Sequence, residues 1–353
     1  MKEIDITPKY YYKFKCIGSK CHNTCCKDWQ IDVDEDSLHK YAAIEDKDFS
    51  SFILDNISYD NKICLNKNVC PFLDDNCLCS IQKRYGESYL CNVCSKYPRI
   101  TLKCDNITRK DIIMSCTATY NIIKKYHNQN KYLKSLIKLD IDTNTKQIIK
   151  KCKKINLSSS KNTSLIVKKL FNYLKLIEQK KLEANNLTTN SKVKTTSNNT
   201  KQSKINNFIG FYKKLEDVFD LLHFRNPIML KIKKIKFFQT FNNFSKTQQK
   251  EILTEFKIFN KKNKKNLYPL FNYFINHYTF NHLTNGMFVK NLQKSIVIFY
   301  LIKLTLFKFY LKDKQFFNRN FLTFTSSFSR AIEHTQSIEV IEENMAEIFS
   351  EYN

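Results

Sequence analysis

The sequence predicts a mainly α protein: a cysteine-rich, loop-rich metal-binding module at the N-terminus, followed by an aromatic-rich helical domain. Three observations carry this expectation. Glycine and proline are scarce, with four and five in 353 residues, which disfavours the many turns of a β sandwich. Twelve of the 13 cysteines fall between Cys16 and Cys116, and only Cys152 lies outside. Beyond that stretch apolar residues recur at steps of three and four, as in Ile166, Leu170, Tyr173 and Ile177, and again in Phe208, Tyr212, Leu215, Phe219 and Leu222. That period belongs to one face of a helix.

In chain order, residues 1–120 read as the cysteine-rich metal module. Within it IDITPKYYYKF reads as a short strand leading into the first cysteines, and DEDSLHKYAAIED as a helix capped near Asp36. Much of the remainder reads as loop gathered around whatever the cysteines hold. Residues 121–184 continue as helix. The segment 185–206 has only Leu187, Val193 and Ile205 as apolar residues, too few to offset its ordering entropy, and reads as a flexible insertion. Residues 207–353 read as a helical domain whose phenylalanine stripes are core packing.

Composition excludes several function classes. Hydrophobic residues make up 42% and aromatics 14%, unlike a disordered chain. The glycines, Gly18, Gly86, Gly210 and Gly286, are isolated from one another, so neither the G-x-G-x-x-G dinucleotide turn nor a P-loop can form. The net charge of +26 is unevenly spread: residues 1–116 carry 17 basic and 17 acidic side chains, and the whole excess lies beyond them. A basic half can track a nucleic-acid backbone. Because no recognition motif accompanies the charge, solvated lysines are the expected reading and nucleic acid is not an expected partner. The run SIVIFYLIKLTLFKFYL from Ser295 is interrupted by Lys303 and Lys308 and is expected to be a buried helix, not a membrane span, which takes about 20 apolar residues. The opening MKEIDITPKYYYKF lacks a secretory pattern, so the expected location is cytoplasmic, with thiols reduced and available to metals instead of disulfides.

Thiolates bind zinc or iron–sulfur clusters. Cys91 and Cys94 form the only C-x-x-C pair, His22 and His39 are the only histidines in the module, and the other cysteine spacings are long and irregular. Such ligands, recruited from distant loops, suit a multi-iron cluster at least as well as a zinc knuckle. The C-x₃-C-x₂-C radical signature fails, because Asp28 stands where its third cysteine would be.

The run F-K-C-I-G-S-K-C-H-N-T-C-C-K-D-W-Q-I-D from Phe14 resembles the opening of the flagellin lysine-N-methylase (FliB) family. So do C-P-F-L-D-D-N-C-L-C-S-I-Q-K-R-Y-G-E from Cys70, L-C-N-V-C-S-K-Y-P-R from Leu90, and F-S-R-A-I-E-H from Phe328. The family's S-C-P-E-like block stands here as Ser115-Cys116-Thr117-Ala118, without the Pro and Glu. The resemblance implies an iron–sulfur enzyme, with a 4Fe-4S cluster, that moves methyl groups from S-adenosylmethionine to flagellin lysines. Carried over position by position, its cysteines are Cys16, Cys21, Cys25, Cys26, Cys70, Cys79, Cys94 and Cys116. Cys64, Cys77, Cys91, Cys104 and Cys152 fall outside the pattern. The alternatives are a zinc or redox protein on the same cysteine scaffold and a basic nucleic-acid binder with a structural metal.

A lysine arrives at neutral pH as an ammonium ion and must lose its proton before it can accept a methyl group. Glu333 and His334 are candidates for the base, with Arg330 one helical turn before His334; a buried structural pair is the other reading. Trp29 and Arg99 are candidates for binding the methyl donor, by a ring face and by a guanidinium. The acids Asp32, Asp34, Glu35 and Asp36 either attract a lysine or cap a helix.

Overall fold

Helices dominate the computed structural model, which describes residues 3–21, 23–104, 107–126, 136, 142–158, 163–185, 201–279 and 285–351. The chain divides into two units, and neither is continuous in sequence. The first gathers Met1–Tyr126, Leu222–Ile232 and Phe317–Ile338; the second gathers His127–Leu221, Lys233–Phe316 and Glu339–Asn353.

The first unit holds more regular structure than its cysteine spacing suggests. Strand β1 (Ile4–Ile6) runs parallel to β3 (Ile107–Ile112), which pairs antiparallel with β2 (Arg99–Cys104), in the order β1-β3-β2. The central strand buries Arg109 and Asp111 as an ion pair, and the Tyr10 hydroxyl donates to Asp111 Oδ1 at 2.7 Å. Helix α1 (Glu35–Ala42) forms where a helix was expected, and further short helices occupy much of the region expected to be loop: α2 (Lys47–Asp55), α3 (Ser80–Tyr85), α4 (Asn92–Lys96) and α5 (Thr119–Tyr126).

The cap of α1 is Asp34, not Asp36. One Asp34 oxygen accepts from the Ser37 N–H at 3.1 Å and the other from the Asn92 N–H at 2.7 Å, the first N–H of α4. One carboxylate therefore satisfies orphan donors on two helices. Asp46 caps α2 in the same manner. An apolar core of Trp29, Ile31, Val33, Tyr41, Ile53 and Phe72 includes buried Cys70 and Cys91, with Cys26, Cys79 and Cys94 packed against it.

The second unit is built around α12 (Asn285–Lys312), which packs against α6 (Thr143–Ser158), α7 (Thr163–Asn185), α8 (Lys201–Leu221), α10 (Lys246–Lys262) and α11 (Lys264–Tyr278). Its apolar residues from Ile296 to Leu306 are buried on every side, the pattern of a helix at the centre of a core. No helix among the described residues is long and apolar enough to cross a membrane. Both lysines of the run are buried. Lys308 Nζ lies 2.9 Å from Glu216 Oε1, whereas Lys303 sits over the Phe256 and Tyr300 rings at 4.9 and 5.4 Å. Phenylalanine clusters fill the space between helices: Phe171 stacks on Phe349 at 4.1 Å, and Phe256 meets Phe307 edge-on at 4.8 Å.

Of the expected flexible insertion 185–206, residues 186–200 lie outside the described residues. Asn185 closes α7, and residues 201–206 open α8. The insertion is shorter at that end because Ile205 extends back, at a step of three, the apolar stripe of Phe208 and Tyr212. The remaining helices are α9 (Pro227–Lys233), α13 (Lys314–Glu333) and α14 (Ser337–Glu351).

Candidate functional site

Within the first unit, the loop carrying Cys21 to Trp29 is fixed by the backbone of a second loop and by the C-terminal turn of α13. The Cys70 N–H donates to the Cys26 carbonyl at 2.8 Å, and the Asp28 N–H donates to the Asn68 carbonyl at 2.9 Å. Asp28 takes a left-handed conformation there, φ 67°, which Asp tolerates better than most residues. From α13, Arg330 donates through Nη1 to the Lys27 carbonyl at 2.8 Å and through Nη2 to the Asn23 and Ser115 carbonyls at 3.3 and 3.2 Å. Three segments distant in sequence meet on this one guanidinium. It is 2% exposed and, among the described residues, has no carboxylate partner; its Nε has no hydrogen-bond partner.

The same clamp assembles an aromatic and imidazole patch. The Trp29 ring lies 4.3 Å from that of His334 and 5.4 Å from that of Tyr97, while its Nε1 donates to the Cys25 carbonyl at 2.5 Å. Ser115 Oγ is 3.0 Å from His334 Nε2 and 3.2 Å from the Tyr97 hydroxyl, and the Ser115 N–H donates to Glu333 Oε2 at 3.3 Å. Burial, with Arg330 adding to it, lowers His334 to about 4, so its imidazole is neutral at pH 7. Burial pushes the Tyr97 phenol well up, so it remains a donor. Trp29, Glu333 and His334 thus come together, and Tyr97 and Ser115, which stand inside the resembling blocks but carry no assigned role there, join them. Arg99 does not join them. Its guanidinium donates to the Phe14 carbonyl at 3.2 Å and lies over the Tyr11 and Phe14 rings, tying the N-terminal segment to β2.

Cys26 is within hydrogen-bond reach of the Cys25 and Cys70 thiols, which hold it well below the usual thiol value, whereas Cys25 and Cys70 are pushed up by the same contacts. Burial raises Cys79, with Cys26 and Cys91 adding to it. Cys91, which the family pattern omits, pairs with Cys94. Burial raises Cys116 to about 11, with Cys21 and Cys16 adding to it. The described thiols are free, with no disulfide among them. As placed, no group of three or more His, Cys, Asp or Glu side chains among the described residues is ready to hold a metal ion. The donors nevertheless suit a thiophilic metal in kind. They are soft ligands, buried at Cys70 and Cys91 and half-buried at Cys21, Cys25, Cys26, Cys79, Cys94 and Cys116, and thiolates would balance the buried Arg330 cation.

Elsewhere in the first unit an open groove of about 500 Å³ is lined by Asp46, Asp48, Phe49, Phe52, Phe72 and Arg84. Arg84 lies over the Phe49 ring at 4.1 Å and pairs with Asp46 at 3.2 Å.

A helical chain with a cysteine-bearing first unit and an imidazole–aromatic patch beside its thiols is the class that these features define. Compared with known proteins, the chain is 35% identical over 131 residues to the flagellar biosynthetic protein FliU of Salmonella muenchen, covering 33% of this chain and 75% of that protein. It is 34% identical over 131 residues to the lysine-N-methylases of Salmonella typhimurium and Salmonella choleraesuis, covering 33% of this chain and 31% of each of them. The match thus spans about a third of the length of those two enzymes. No family model matches the chain, and no solved structure does. The chain belongs to the FliB-like flagellin lysine-N-methylase family.

Proposed function

We propose that this protein is a protein-lysine N-methyltransferase that moves methyl groups from S-adenosylmethionine to flagellin lysines and carries a cysteine-bound iron–sulfur centre. Two relatives bear the name lysine-N-methylase, and the resemblance of the cysteine blocks supports the finer statement. The observation that carries the reading is the convergence of His334, Glu333, Trp29 and Tyr97 on the loops that bear Cys25 and Cys116.

S-adenosylmethionine offers a methyl group on a positively charged sulfur. The lysine nitrogen forms its new N–C bond as the S–C bond breaks, and the bonding pair returns to sulfur. Beforehand the ammonium must give up a proton, and His334, a neutral imidazole at pH 7, is the candidate acceptor on the patch. Glu333 brings a carboxylate to Ser115, in the block where Ala118 stands in place of the family's Glu; a carboxylate from another element is thus present near a position that lost its own. Phe52, 41% exposed at the groove, offers an aromatic face to a cationic side chain.

Full-length protein purified anaerobically, incubated with labelled S-adenosylmethionine and flagellin and followed by intact mass, is expected to add methyl groups to flagellin. His334→Gln should lower kcat by about 10²-fold or more with a smaller change in KM. Transfer undiminished in His334→Gln removes the base role, and no transfer by the wild-type chain with its metal bound overturns the enzyme reading. The second reading, a non-catalytic or redox thiol protein holding zinc or a cluster, is favoured by the Cys91–Cys94 pairing and would stand in that event.

A further inference from the structure

We propose that the second unit carries a binding site for a small, hydroxyl-bearing phosphate ester, held where the first turns of α7 and α11 meet the C-terminal half of α10. The site shares no residue with the patch around His334 and does not rest on the methyltransferase reading.

A cavity of about 460 Å³ lies there, lined by Thr163 and Ser164 at the start of α7, Lys257, Asn260 and Lys261 on α10, and Lys264 at the start of α11. Helix α11 packs against both of the others, so one unit builds the whole concavity, and its volume is that of a small-molecule site. Among the described residues no carboxylate lines it, and none of the three lysines forms an ion pair.

The placement of these cations is not explained by helix stability alone. Lys257 and Lys261 stand one turn apart on the same face of α10, where like charges repel. Lys261 offsets the negative C-terminal end of its own helix, but Lys264 does the reverse. It opens α11, where the dipole already places positive charge, with no acidic residue in that turn and no side-chain cap from Asn263. The start of α7 adds a second positive helix end. An anion in the cavity offsets all of these charges together.

Two buried polar atoms define the rest of the ligand. Thr163 is 6% exposed and its hydroxyl has no hydrogen-bond partner. A threonine at the head of a helix commonly turns its oxygen onto an N–H of the first turn; this one does not, and its O–H is left to donate to a phosphate oxygen. Asn260 donates Nδ2 to the Phe256 carbonyl at 2.7 Å, which leaves its buried, unpartnered Oδ1 as an acceptor. A fully ionised inorganic anion has no proton to offer that oxygen, whereas a hydroxyl group of the ester does. Among the described residues no aromatic ring lines the cavity, so a nucleobase finds no stacking face, and a phosphorylated sugar fits the lining better than a nucleotide.

The test is calorimetric titration of the full chain with ribose 5-phosphate, inorganic phosphate and ribose. Ribose 5-phosphate should bind more tightly than inorganic phosphate and lose affinity as salt rises, and ribose should not bind. Thr163→Val should weaken both phosphates by about 10-fold or more, and Thr163→Ser should restore them. Lys257→Gln and Lys264→Gln should each weaken binding, whereas Lys246→Gln, at the opposite end of α10, should leave it unchanged. Asn260→Leu should erase the preference for ribose 5-phosphate over inorganic phosphate. Circular dichroism checks that each variant has folded. A wild-type chain that binds no ribose 5-phosphate at millimolar concentration overturns the site, as does undiminished binding in Thr163→Val. Equal losses in Lys246→Gln and Lys257→Gln would show diffuse attraction to a basic surface and overturn it too. A preference retained in Asn260→Leu would overturn the role of the hydroxyl. Methyl transfer is read in a separate assay, so the failure of either reading leaves the other standing.

Discussion

His334 stands against the Trp29 ring at 4.3 Å with the Arg330 cation one helical turn back, and both the burial and the cation resist its protonation. Its folded value of about 4 lies below the ordinary value near 6.5. Between those two values the unfolded chain binds a proton that the folded chain refuses. The contribution is therefore complete above about pH 6.5 and is lost as pH falls toward 4. Urea unfolding of the first unit should show a loss on the order of 1–3 kcal/mol across that window, and His334→Gln should flatten it. An unchanged acid limb in the variant would place the sensitivity elsewhere. Lys303 presents the same sign in the second unit, where burial alone lowers it to about 7. Stability there should be complete above the ordinary lysine value and fall as pH drops toward 7. Lys303→Met is expected to raise the melting temperature at pH 7 and to erase the dependence between pH 7 and 10, with a gain of about 1–4 kcal/mol at neutral pH. A lower melting temperature at pH 7 would mean that the lysine is retained for its ring contacts.

Caps and clamps join elements that are distant in sequence. Asp34 serves α1 and α4 at once, and although burial alone would raise it, the N–H groups of Asn92 and Ser37 bring it below the usual carboxylate value. Asp34→Ala should cost about 1–2 kcal/mol and loosen α4, seen as faster alkylation of Cys91 and Cys94. Unchanged alkylation would show that the core alone holds that helix. In the second unit Glu216 accepts from the N–H groups of Phe237, Phe238 and Gln239 at 3.1, 2.8 and 2.8 Å and also meets Lys308, both charged side chains being fully buried. Glu216→Gln leaves that lysine uncompensated and is expected to cost about 3–5 kcal/mol, whereas pairing it with Lys308→Met should recover much of the loss. Additive losses in the double variant would rule out the coupling. The acidic run was legible as a cap or as a lysine attractor, and the structure gives Asp34 the capping task. The 3.6-residue period made the long helices legible, including the one from Ser295. Of the short helices in the first unit α1 was legible from its acidic start; α2 to α5 and the β2–β3 hairpin were not, because over so few residues the period does not resolve and the pairing with β1 joins the two ends of the unit's first segment.

Across the molecule, the two units differ in what maintains them. The second has a continuous apolar core around α12; the first has a smaller one into which thiols are built. Exposure to a chelator under anaerobic conditions should therefore speed amide exchange at Ile53 and Ile112, which are fully buried in the first unit, and leave Phe274 and Leu304 of the second unit unchanged. Equal acceleration in both units would contradict a metal confined to the first. By itself the sequence determined the helical class, the concentration of cysteine in one stretch and the resemblance of the blocks, since these follow from composition, period and local order. Only the tertiary structure decided that Trp29, Ser115, Glu333 and His334 share one patch and that Arg99 does not. Those outcomes depend on one buried guanidinium bonding three carbonyls from distant segments, and no local pattern in a chain encodes where such donors and acceptors will meet.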